Sequence, residues 1–169
     1  MAQKMLRGNV TIVAADPEAF ADPAAPTATE LNNATLVYNI SCAITDDYTL
    51  NMTESDTDDS RSICDIGQVA TPTFFNYEAS LDGFRDADLD ATGVYNLFRD
   101  LFRAPDVPYI LIKRIGGANN TPFAVGDTIS MYEVNTDYPV DLVEDGSPIM
   151  FGARFKSTGN LNVNYEVAA

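Results

Sequence analysis

Apolar residues recur along this chain with two different periods, and the switch between them separates one helix from a series of strands. Val94, Leu97, Phe98 and Leu101 fall at i, i+3, i+4 and i+7, which lines one face of a helix over residues 94–102. Asp90 or Thr92 is placed to cap its first turn, the acids before it suit the positive end of its dipole, and Pro105 stops it. Elsewhere the period is two. Over residues 36–45, Leu36, Tyr38, Ile40, Cys42 and Ile44 alternate with Val37, Asn39, Ser41, Ala43 and Thr45, a half-buried strand that 48–52 extends beyond a kink. Over 74–81, Phe75, Tyr77, Ala79 and Leu81 share one face while Asn76, Glu78 and Ser80 share the other. Residues 107–115 are apolar on both faces, which predicts a central strand.

Shorter strands are predicted at 9–15, 128–135, 140–143, 149–156 and 162–167. Asp145 and Gly146 form a hairpin signal, and Thr158 and Gly159 form another turn. In 149–156 the residues Ile149, Phe151, Ala153 and Phe155 point inward, with Arg154 and Lys156 outward. About eight strands and one helix predict a mainly β fold of two packed antiparallel sheets, a sandwich or barrel, with one flanking α-helix. A length of 169 residues suits a single domain with a sizeable core. Residues 16–33, rich in Ala, Pro and Asp, read as a long surface connection. Residues 53–72 form a second one, polar and acidic, of a length that a compact domain keeps only for a purpose.

Charge narrows the function. The chain has 25 acidic and 10 basic residues, a net charge of −15, and no His. Gripping a nucleic acid requires clustered Lys and Arg, so this balance argues against it. Without His, catalysis would fall to carboxylates, Ser, Lys or Tyr, and no such pair stands out; the expectation is no enzyme and no cofactor. Asp86, Asp88 and Asp90 have the spacing that opens a calcium loop. The sixth and twelfth positions are Ala91 and Leu97 where an EF-hand needs Gly and Glu, so the match fails. Asp56, Asp58 and Asp59 leave room for a weak cation site, and a calcium-dependent binding module is one alternative class. Cys42 and Cys64 lack metal or redox spacing and read as reduced, buried thiols, with a disulfide left open. No apolar run is long enough to span a bilayer.

With chemistry unsupported, open sheet edges and long acidic loops favour assembly with other copies. The sequence also resembles a known family. Arg61, Cys64, Asp65 and Gly67, then Thr71 to Phe74 and Asn76 to Ser80, carry the likeness. It continues through Phe84 to Asp88 and Ala91 to Tyr95, and resumes at Asp137, Pro139 to Asp141, Val143 to Gly146 and Ile149 to Phe151. These residues are similar to the major tail (tail tube) proteins of long-tailed, non-contractile phages, closest to those of actinobacterial phages. The resemblance implies two packed sheets with a flanking helix. It implies six subunits joined into a ring with a β-barrel inner wall, and rings stacked into a tube. A long loop reaches into the next ring, a tape-measure protein fills the bore during assembly, and DNA later passes through. A terminator or neck component is the nearest alternative.

On that reading Glu54, Asp56, Asp58, Asp59, Arg61 and Asp65 are candidates for the inter-ring loop, and Asn76, Glu78 and Ser80 for the channel face. Lys113, Arg114, Arg154 and Lys156 are candidate cationic partners on a neighbouring copy. The expected setting is the virion tail, assembled in the host cytoplasm, with no membrane partner.

Overall fold

The computed structural model describes residues 8–58 and 71–169. The strands are β1 (Val10–Ala15), β2 (Val37–Asn39), β3 (Ile44–Met52), β4 (Asp56–Asp58), β5 (Thr71–Phe74), β6 (Tyr77–Phe84), β7 (Pro108–Ile115), β8 (Thr128–Thr136), β9 (Val140–Leu142) and β10 (Met150–Glu166). Helix α1 covers Ala28–Leu31 and α2 covers Val94–Phe102, with a 3-10 turn at Pro17–Ala19. All named strand pairs are antiparallel. One sheet runs β2-β1-β7-β8-β10-β6-β3 with β9 added beside β10, and β4 and β5 form a separate hairpin.

Strand β10 explains how one sheet becomes two layers. It runs 17 residues without a break, where the sequence predicted two strands around a turn at 158–159. Its first residues, Met150 to Arg154, pair with β6, and from Phe155 onward it pairs with β8. Register slips between Ser157 and Leu161, and again between Asn162 and Tyr165. Gly159 takes φ +94° there and Asn164 φ 55°. Such bulges bend and twist a strand without ending it, so β10 leaves one layer and enters the other. The predicted turn is a bend.

The main core lies between the two layers. Ile12, Ala14, Leu111, Tyr132 and Val134 from one side meet Leu50, Tyr77, Ala79, Leu81, Phe151 and Ala153 from the other. Helix α2 fills the opening between them. Phe98 packs edge-on against Phe102 at 5.4 Å and Phe151 at 5.9 Å, and Phe102 against Tyr109 and Phe155. The helix comes this close because Gly83 has no side chain. A Cβ there would sit 2.7 Å from both the Ala43 carbonyl oxygen and the Phe98 ring.

A second core covers the other face of β1, β7 and β8. Val13, Ile110, Ile112, Ile129 and Met131 are buried under Phe20, Leu31, Phe123 and Val167. Strand β7 is thus apolar on both faces because both faces are covered. Residues 16–33 supply much of that cover. Thr27 and Glu30 form a capping box on α1, and a Glu30 carboxylate oxygen also accepts the Ala21 N–H at 3.0 Å.

Several local expectations are corrected. The strand expected over 36–45 breaks after Asn39. Ile40 and Ala43 are both fully buried, which alternation cannot provide, and the chain turns between them to cross from one layer to the other. Neither Asp90 nor Thr92 caps α2. Gly93 is its N-cap, with no side-chain bond, while Asn96 Nδ2 donates to the carbonyls of Asp88 and Ala91. The helix buries Asn96, Phe98 and Phe102, with Val94 and Leu101 at the margin and Leu97 outside the core. Phe75 lies in the link before β6 and is exposed, whereas Tyr77, Ala79 and Leu81 point inward as expected. Cys42 is exposed, not buried, and Cys64 lies outside the described residues.

Two outcomes follow from this packing. Gly83→Ala should lower stability by about 1–3 kcal/mol through overpacking against Phe98, read as a drop in thermal midpoint. Glu30 is held below the ordinary carboxylate range by the Ala21 and Thr27 amides. Its contribution is therefore present above that range and lost as pH falls through its depressed value. Glu30→Gln should remove that part of the acid limb in melts recorded against pH.

Candidate functional site

Strands β9, β10, β6 and β3 form a layer whose outward face carries no element on it among the described residues. Along β6, Tyr77, Ala79, Leu81 and Gly83 are buried, and Glu78, Ser80 and Asp82 alternate outward. Their cross-strand partners, Thr49 and Asn51 on β3 and Gly152 and Arg154 on β10, share that face. It is therefore small, polar and charged. Of the three residues expected to face a channel, Glu78 and Ser80 lie here. Asn76 sits before β6 and donates from Nδ2 to the Glu54 carbonyl, holding the base of the β4–β5 hairpin.

Arg154 lies flat on this face. Its guanidinium donates to Asp82 Oδ1 at 2.5 Å across the strand pair. Gly152 makes room, since a Cβ there would come within 2.9 Å of Asp82 Oδ1 and 3.0 Å of the guanidinium. Lys156, further along β10, pairs with Asp137 at 2.9 Å though three-quarters exposed. That contact helps hold the Asp137 carboxyl below the usual range.

The other two expected cations are inside the subunit. Arg114 is 3% exposed. It pairs with Asp127 at 2.8 Å, donates to Thr11 Oγ1 and to the carbonyls of Ala118, Thr121 and Pro122, and lies over the Phe123 ring. One guanidinium thus gathers the whole 116–127 loop. Lys113 is 8% exposed and donates to the Leu50 carbonyl and to Asn51 Oδ1. Burial lowers its pKa. Neither side chain can meet a neighbouring copy without leaving its own fold. Sequence reasoning passed over Arg103, which is exposed at the C-cap of α2 and has no ion pair among the described residues.

The β4–β5 hairpin carries the acids. Glu54 precedes it, Asp56 and Asp58 lie on β4, and Thr73 Oγ1 donates to the Asp56 carbonyl. Asp59, Arg61 and Asp65 lie outside the described residues. Also missed were Phe74 and Phe75, which stand 69% and 66% exposed at the hairpin base. They line a groove of about 420 Å³ with Asp56, Thr73, Asn76, Ser157, Gly159 and Leu161. The alternation over 74–81 predicts Phe75 facing inward with Tyr77; instead Phe74 ends β5, Phe75 lies in the link to β6, and both are exposed.

The Asp86 to Asp90 run folds on itself, with Asp86 Oδ1 accepting the Asp88 N–H and Asp88 Oδ1 the Asp90 N–H. Among the described residues no three acidic, His or Cys side chains converge on one point. No helix among them is long and apolar enough to cross a membrane.

Among the described residues, a curled antiparallel sheet with open borders and a separate β4–β5 pair is a fold whose distinctive surfaces are backbone edges and faces. Comparison with known proteins says which such fold it is. The family model described as phage tail tube protein matches residues 1–169, the whole chain. The chain belongs to the phage tail tube protein family, a structural family of the virion tail. No curated protein matches it.

Removing the guanidinium of Arg114 leaves Asp127 without its ion-pair partner and takes a donor from the Thr121 and Pro122 carbonyls. Arg114→Met should cost about 3 kcal/mol in denaturant unfolding and speed amide exchange across residues 116–127.

Proposed function

We propose that copies of this chain join edge to edge into rings, hexameric on this reading, and that rings stack into a hollow tail tube through which DNA passes. The observation that supports it most is the pair of unlike borders on one layer, β9 on one side and β3 on the other. A contact between two different edges is heterologous, and repeating it closes a ring or continues as a helix. The backbone groups on each open border gain ladder partners in the contact. Exposed Tyr138, Val140 and Val143 flank or lie on β9 and would be covered with it.

The outward face with Glu78 and Ser80 would then line the bore. Arg154 is tied to Asp82 on that face, so a passing polyanion meets acids and neutral pairs. Screening acts over about 8 Å at physiological salt, which leaves repulsion effective only at close approach. The segment with Glu54, Asp56 and Asp58, together with Asp59, Arg61 and Asp65 later in the sequence, would make the contact between rings, with Phe74 and Phe75 as its apolar base. Arg103 and Lys156 are the cations best placed to meet it, because Lys113 and Arg114 are engaged inside. A tape-measure protein would occupy the bore during assembly in the host cytoplasm. The whole chain would act as one tail-tube domain, and the likeness to actinobacterial phage proteins points to the host group.

Purified protein, concentrated and imaged by electron microscopy, should form rings or tubes. Their onset should move to lower protein concentration as salt screens a charge of −15 per copy. Monomers at every concentration and salt would overturn the assembly reading. Assembled particles should not retain duplex DNA at moderate salt, and micromolar retention would overturn the repulsive bore alone.

A further inference from the structure

Lys113 is an oddity that the tube reading leaves unexplained. It interrupts an apolar run on β7, after Ile110, Leu111 and Ile112, and its side chain enters the main core, 5.8 Å from the Tyr132 ring centroid. It is 8% exposed in a chain with 25 acids, yet the partners of its ammonium are a backbone carbonyl, Leu50, and an amide oxygen, Asn51 Oδ1. A buried cation without a counter-ion is a poor device for stability; an apolar side chain of similar size usually does as well or better.

Its position gives the reason. β3 is the outermost strand of its layer. Thr53 donates its N–H to the Asn76 carbonyl, and with Asn51 opposite Glu78 and Leu50 opposite Ala79, the backbone of Asn51 faces β6. The backbone of Leu50 therefore faces the open side. The Leu50 carbonyl is a rung of that border with no strand partner among the described residues, and Lys113 Nζ occupies it, so that Leu50 is fully buried although β3 is an edge strand. Open strand edges are commonly blocked by a charge that discourages strand addition; here the charge reaches the β3 edge from β7 in the facing layer.

We propose that Lys113 guards the β3 edge. In the free subunit its ammonium holds the rung that a strand of a second copy would take, so that addition must first displace a buried cation. The guard sets how readily free subunits join. This inference rests on the reading that copies associate through β3.

The experiment follows the onset of self-association of the purified full chain against protein concentration by sedimentation and light scattering, with electron microscopy of the products. Lys113→Met should melt no lower than the wild type and associate at about a tenfold lower concentration. Lys113→Arg, which keeps a buried donor, should behave like the wild type. Asn51→Ala, which removes one acceptor on the strand surface, should give an intermediate onset and serves if Lys113→Met does not fold. An onset unchanged or raised in a folded Lys113→Met, or unchanged in Asn51→Ala, overturns the guard while leaving the tube reading intact. No particles from the wild type or any variant overturns both.

Discussion

Everything in this subunit depends on β10 serving two layers. A strand that stayed in one plane would leave β3, β6 and β9 as a separate layer with no ladder link to β8. The link is made at the bend between Ser157 and Leu161, where a register slip would strand backbone groups. They are recovered by side chains. Tyr77 donates its hydroxyl to the Glu133 carbonyl and accepts the Thr158 N–H, while Thr158 Oγ1 donates to the same carbonyl and Asn160 Nδ2 to Glu133 Oε2. The bend is thus held from both layers at once, which satisfies the polar groups that a loose loop would have left to water.

With the layers fixed, the helix and the 16–33 segment have defined tasks. The helix closes the open side of the main core through Phe98 and Phe102, and Gly83 sets how near it comes. The 16–33 segment covers the back of β7 and β8, anchored by Phe20 and Leu31. Both faces of the β1-β7-β8 layer are then closed. Among the described residues the β9-β10-β6-β3 layer is covered on one face, and its open face and two borders are the surfaces left for other molecules.

The parts of this that were legible in the sequence are the ones set by local periodicity. The bounds of α2, the two-faced burial of β7, the inward set on β6 and the Asp145–Gly146 turn were all written in spacing or turn chemistry. What escaped was set by tertiary demand. A bend in β10 looks like a turn because Gly159 supplies positive φ in either case. Ile40 and Ala43 fit a strand pattern until the crossing buries both. Phe75 looked like core because apolar character cannot say whether a residue packs inside or stays exposed. Asn96 was invisible as an organiser, since a polar residue on a helix reads as solvated until two carbonyls turn out to need it.

The same limit applied to the charges, and it bears on function. Lys113, Arg114, Arg154 and Lys156 all looked available to another copy, because sequence cannot show which charges are already neutralised at home. Two are buried, and the other two are tied to Asp82 and Asp137. With these four engaged and Arg103 left as an exposed cation, acids far outnumber the available cations on the surface, and copies repel one another at long range. Attraction between them must then come from short-range terms: ladder bonds at open strand borders and burial of exposed apolar groups such as Tyr138, Val143, Phe74 and Phe75. Such a surface leaves close, directional contact as the route by which copies join.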